Sequence, residues 1–157
     1  MTDFVARYGG IYEHSPWVAE QAEPIVAGST DIEVIARVMA DCVDNAGEQR
    51  QLALIRAHPD LAGTAQVAGE LTEDSTTEQS SAGLDRCSPA EYQRFQALNE
   101  AYHARFGFPF VMAVRNSTRA QILEAFEERL GNDYKVEFET AMAEIHAIAR
   151  LRLEAMQ

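Results

Sequence analysis

The chain has little cysteine, little positive charge and no long apolar run. Two cysteines occur in 157 residues, Cys42 and Cys87, with no CxxC or CxH spacing. That excludes a disulfide framework and points to a reducing cytoplasm. Lys plus Arg is 13 against 25 Asp plus Glu, a formal net charge of −12. Such a surface repels phosphate backbones and anionic lipid, so neither nucleic acid nor a membrane is expected as a partner. The opening MTDFVARYGG has no apolar h-region, so no signal peptide is expected, and no apolar run reaches the length of a membrane span. The closing LEAMQ carries no receptor-read address. GxGxxG, P-loop and GxSxG patterns are absent, which argues against nucleotide and serine-hydrolase sites.

What is present is helical punctuation. Hydrophobic residues make up 46% of the chain, a normal globular share, and the length suits one domain over 1–157. Glycine and proline fall between segments and rarely inside them. Ser15-Pro16 reads as N-cap and first helical residue. A helix is predicted from about Asp31 to Asn45, with Ile32, Ile35, Val38, Met39, Cys42 and Val43 at helical spacing, and another from about Glu48 to Ala57. Pro59 biases His58 out of helical geometry, so His58 should close that helix. Residues 60–72 read as a loop with at most one short helical turn, and a short helix from about Ser75 to Asp85 follows.

Ser88-Pro89-Ala90-Glu91 combines N-cap, N1 proline and capping-box glutamate, opening a helix to about Phe106 with Tyr92, Phe95, Asn99, Tyr102 and Phe106 on one face. GFPFVMAV looks locally like a strand, but with no partner strand it is expected to be an extended buried connector. Helices over about Thr118–Leu130 and Asp133–Ala155 close the chain. The expectation is an all-α, single compact domain of seven or eight helices.

Polar groups on apolar faces are the informative anomalies. At about 100° per residue, Phe138, Ala141, Ile145, Ile148 and Met156 share one stripe of the last helix, and Arg152 falls in its middle, whereas Arg150 points away. A guanidinium there is costly unless paired. It is either a structural ion pair, a side chain that snorkels to water, or a cation held for a ligand. In so acidic a chain, the last reading supplies the local positive charge that an anionic substrate would need.

Ser75, Glu78 and Gln79 lie at i, i+3 and i+4. S-x-x-E is a capping box, with Ser75 as N-cap. The same three side chains also make a polar platform suited to an amide-rich small molecule. His58 sits at a helix C-terminus, where the dipole favours the protonated ring; it is either a capping histidine or an acid–base group. His58-x-Asp60 and Glu144-x-His146 lack helical metal-ligand spacing and HExxH is absent, so no metal is expected.

At these residues the sequence resembles the family of 2-oxo-4-hydroxy-4-carboxy-5-ureidoimidazoline (OHCU) decarboxylases. The resemblance rests on YGGIYEHSPWVAE at 8–20, LIRAHPDLAG at 54–63, LTEDSTTEQSSAGL at 71–84, FQALNEAYHARFGFPFVMAVR at 95–115 and IARLRLE at 148–154, in order along nearly the whole chain. It implies an all-helical decarboxylase of OHCU, producing (S)-allantoin in the last step of urate oxidation. It further implies no metal or organic cofactor, and a homodimer. The family's catalytic residues correspond to His58, Glu78 and Arg152, and its substrate-binding residues to Pro59, Ser75, Gln79, Phe110 and Val111. Other classes stay open at this point: a non-catalytic helical interaction domain whose acidic faces bind a basic partner, or a hydrolase or isomerase of a related ureide. Exposed apolar residues such as Trp17 are candidates for a dimer contact.

Overall fold

Thr2, Asp31, Thr72, Ser88, Thr118 and Asp133 each accept from a backbone amide at a helix start. The computed structural model describes residues 2–63 and 69–157. Among these residues there are eight α-helices, one 3₁₀ turn and no strand, as the all-α reading expects. The loop expected over 60–72 falls partly on residues 64–68, which lie outside the described residues. The chain divides into two units, Met1–His58 with Ile145–Gln157, and Pro59–Glu144.

The first unit carries α1 (Asp3–Tyr8), α2 (Trp17–Val26), α3 (Ile32–Asp44) and α4 (Glu48–Arg56), together with the C-terminal part of α8 (Tyr134–Ala155). Thr2 and Asp31 cap α1 and α3 by accepting from Val5 N and Glu33 N. The short α1 has no counterpart in the sequence reading. The predicted cap of α2 is corrected. Ser15 Oγ donates to the Glu13 carbonyl and caps nothing, while Pro16 already has helical angles. In α2, Val18, Ala19 and Ala22 are buried, as are Ile35, Met39 and Val43 on the face of α3 that helical spacing predicts. Trp17 is half-buried under the Arg50 guanidinium, 4.4 Å from its ring centroid, so it is not the exposed apolar residue expected.

The second unit carries α5 (Glu73–Ser81), the 3₁₀ turn Leu84–Arg86, α6 (Pro89–Phe106), α7 (Arg119–Leu130) and the N-terminal part of α8. Ser88 and Thr118 open α6 and α7 with complete capping boxes. The register of α5 differs from expectation. Thr72, not Ser75, is the N-cap, accepting from Ser75 N at 3.2 Å, and the α-helix ends at Ser81 rather than Asp85. T-x-x-S and S-x-x-E overlap in this segment, and the earlier hydroxyl takes the orphan amide.

Residues 107–114 form neither helix nor strand. Their Phe108, Phe110, Val111 and Val114 are nonetheless buried. Tyr102 meets Phe108, Phe110 and Phe126 edge-on, and Phe110 stacks on Phe126 with centroids 3.9 Å apart. These rings form the aromatic core of the second unit.

Candidate active site

His58 takes its position from the end of α4. Its backbone N–H donates to Ile55 O at 3.1 Å, and Pro59 stops further helix. The side chain folds back one turn, and Nδ1 lies 2.9 Å from Leu54 O. A carbonyl only accepts, so Nδ1 carries the proton and Nε2 keeps its lone pair in the neutral ring. The residue is 8% exposed. Burial pushes its pKa down to about 4; the Leu54 carbonyl and the Glu13 carboxylate oppose this, while Arg152 and His14 add to it. The expected dipole preference for a protonated ring is therefore overridden by desolvation, and His58 is a neutral base near pH 7.

Arg152 is 4% exposed, as its place in the apolar stripe of α8 requires. Its Nη2 donates to Glu13 Oε2 at 2.9 Å, and Nη1 lies 3.3 Å from Gly10 O and 3.4 Å from Ile11 O. Glu13 itself is 2% exposed. Arg150 differs: its side chain is 39% exposed and it pairs with Glu33 and Glu154 at the surface. The stripe thus separates the two arginines correctly.

The first unit therefore gathers His58, Arg152 and Glu13 into one buried electrostatic group. Sequence reasoning does not find Glu13. It lies in an irregular segment with no periodicity for it to violate.

The remaining candidates lie in the second unit. Ser75 and Gln79 are buried one turn apart on α5, and Glu78 is half-buried between them. Gln79 is not a free platform group. Its Oε1 accepts from Ala62 N at 3.0 Å and its Nε2 donates to Asp60 O at 3.1 Å. Gln96 Nε2 donates to Ala62 O at 2.8 Å and Asn99 Nδ2 to Leu61 O at 3.0 Å. Three carboxamides thus clamp the backbone of 60–62, where Ala62 holds a left-handed φ of 51°. Asn99 on the apolar face of α6 is explained by this clamp. Pro59 is half-buried at the start of the unit. Phe110 and Val111 lie in the buried connector, and Val111 O accepts from Arg129 Nη1 at 2.7 Å.

Arg129 is itself held by a fully buried Glu137, at 0% exposure. The sequence does carry a signal for this pair. At about 100° per residue, Arg129 falls on the stripe of Ile122 and Phe126, and Glu137 on that of Ala141 and Ile148. The test that selects Arg152 would have selected both. Among the described residues, no group of three or more His, Cys, Asp or Glu is placed to hold a metal. No helix of the described residues is long and apolar enough to cross a membrane.

Comparison with known proteins gives a consistent family. The OHCU decarboxylase family model matches residues 1–154. A 2-oxo-4-hydroxy-4-carboxy-5-ureidoimidazoline decarboxylase of Halalkalicoccus jeotgali is 44% identical over 98% of this chain and 84% of its own. One from Haloferax volcanii is 46% identical over 96% and 86%. Among solved structures, an OHCU decarboxylase determined in the presence of (S)-allantoin superposes with a TM-score of 0.75 at 26% identity, covering 94% of this chain and 95% of that one. An (S)-allantoin synthase superposes with a TM-score of 0.76 at 33% identity over 96% of this chain, which spans about half (48%) of that longer one. With the family model matched over residues 1–154 and relatives bearing the family's name 44% and 46% identical over nearly all of this chain, the chain belongs to the OHCU decarboxylase family.

Proposed function

We propose that this chain decarboxylates OHCU to (S)-allantoin, with His58 as the proton-transferring base and Arg152 as the anchor for anionic oxygen. Family membership supports the reaction. The observation that carries the mechanism is the state of His58: buried, neutral, with Nδ1 engaged by Leu54 O and the lone pair on Nε2.

The substrate is a five-membered ring bearing a carboxylate, a hydroxyl and a ureido arm. The bond to the carboxylate breaks and carbon dioxide leaves. The electron pair stays on the ring and delocalises into its C=N bond, whose nitrogen takes up one proton. The hydroxyl then loses its proton as its oxygen becomes the ring carbonyl, and a proton is delivered to the neighbouring carbon on one face. His58 Nε2 accepts the hydroxyl proton and returns it to carbon, which conserves the proton count and fixes the stereochemistry.

Arg152 stabilises the oxygen charge within a desolvated setting, where such an interaction is strong. Glu13 holds its guanidinium plane in one orientation. The roles of Glu78 as a further catalytic group, and of Pro59, Ser75, Gln79, Phe110 and Val111 in holding the ring, rest on the family resemblance. So do the reading of 1–157 as one OHCU decarboxylase-like domain and a homodimer; a cytoplasmic location is supported by the two free cysteines, Cys42 and Cys87. Light scattering tests the dimer.

The reaction is tested by generating OHCU in situ from urate, adding the protein and following allantoin by circular dichroism. Faster appearance of one enantiomer is the expected result. The spontaneous rate with racemic product would refute it.

A further inference from the structure

The connector 107–114 has neither ladder nor helix to satisfy its backbone, so its polar groups need other partners. Arg129 supplies one, with Nη1 donating to Val111 O at 2.7 Å. The same guanidinium lies over the Phe110 ring, 4.3 Å from its centroid, while Phe126 stacks on that ring with centroids 3.9 Å apart. Two groups so close to one centroid occupy opposite faces, so Phe110 is held between them.

The guanidinium has no freedom of its own. Nε and Nη2 both donate to the Glu137 carboxylate, at 3.1 and 2.9 Å. That carboxylate also accepts from Asn132 Nδ2 at 3.0 Å and from the Tyr102 hydroxyl. Glu137 thus fixes two arms of the fork and thereby aims the third at Val111 O. At the far end of the connector, Ala113 N donates to Glu144 Oε1 at 3.2 Å. All these residues lie in Pro59–Glu144.

A buried ion pair is often replaceable by apolar residues without loss of stability. Retaining a fully buried carboxylate here is therefore better explained by geometry than by stability. We propose that Arg129 and Glu137 are positioning residues for the reaction, setting the backbone of Phe110–Val111 so that this segment presents the substrate ring in one orientation. The inference rests on the proposed function, which gives Phe110 and Val111 to substrate binding, and deepens it.

The test uses Arg129→Lys in the full chain. Lysine keeps the charge opposite Glu137 but, as a point charge, cannot span Glu137 and Val111 O together. Loss of one charge-assisted contact should raise KM for OHCU about tenfold with kcat within about threefold. Amide hydrogen exchange over 110–114 should quicken by a similar factor. The double variant Arg129→Met/Glu137→Met removes both charges and should show the same KM rise, with a lowered melting temperature because Val111 O, Asn132 Nδ2 and the Tyr102 hydroxyl lose their partners. A folded Arg129→Lys protein with wild-type KM and wild-type exchange at 110–114 would overturn the proposal. So would failure of both variants to fold, because the pair would then serve the fold alone. If the wild-type protein does not accelerate OHCU turnover, the functional reading has failed, and exchange at 110–114 alone decides whether Arg129 holds the segment.

Discussion

Replacing Glu13 by alanine should destabilise the protein far more than its position in an irregular segment suggests. The Glu13 and Arg152 side chains are 2% and 3% exposed and meet at 2.9 Å. Removing one partner of such a pair leaves an uncompensated buried charge, at a cost of about 3–5 kcal/mol. For a chain of this size, each kcal/mol lowers Tm by about 2–4 °C. Glu13→Ala should therefore melt about 10 °C below wild type by circular dichroism or calorimetry. Glu13→Gln, which keeps an acceptor for Arg152 but not the charge, should fall between. The Glu13→Leu/Arg152→Met pair should recover most of the lost Tm and yet lack OHCU turnover, because the proposed anchor is gone. Loss of the Glu13 charge also removes one influence that raises the His58 pKa. The acid limb of kcat/KM in Glu13→Gln should accordingly move to lower pH. A Glu13→Ala protein melting within about 2 °C of wild type would show that Arg152 relaxes to solvent, and the reasoning would fail.

Four further outcomes are expected. His58→Asn should fold and lose about 10²–10⁴-fold in kcat, measured against spontaneous OHCU decay; near-normal turnover would remove His58 from the mechanism. Burial holds the folded pKa of His58 at about 4 against an ordinary 6.5. Between these values the unfolded state binds more protons, so the stability tied to a neutral His58 is complete above about pH 6.5 and is lost as pH falls through 4. Urea midpoints from pH 7 to pH 4 should fall less for His58→Asn than for wild type. Gln79→Leu strands the Asp60 carbonyl and the Ala62 amide and should cost about 2–4 kcal/mol, read from urea unfolding; an unchanged midpoint would show that water replaces the clamp. Arg150→Ala should leave turnover and Tm close to wild type, since its partners Glu33 and Glu154 sit at the surface.

Local chemistry was legible where one segment carries its own signal. Ser88-Pro89-Ala90-Glu91 opens α6 with the capping box that its sequence spells. Arg152 stands out because Ile145 and Ile148 flank it in angle on the apolar stripe of α8. Where two signals overlap, as with Thr72 and Ser75 ahead of α5, the cap moves by one turn. The balance at His58 was not legible, because dipole preference is local whereas desolvation depends on what surrounds the ring. Glu13 was invisible for a related reason: its partner lies 139 residues away. Gln79 shows the limit of residue-type reasoning. Residue type suggests a ligand but does not reveal that both ends of this carboxamide hold the backbone of Ala62 and Asp60, 17 and 19 residues away.

That long separation bears on how the protein is made. The unit holding His58 is assembled from residues at both ends of the chain, so its buried ion pair cannot close during synthesis until the last helix has left the ribosome. Until then Glu13 lacks Arg152, and the N-terminal helices lack residues 145–157, which complete their unit. A nascent chain stalled before residue 152 should be cut by protease in its N-terminal unit, and release of the final helix should bring protection and catalytic competence together.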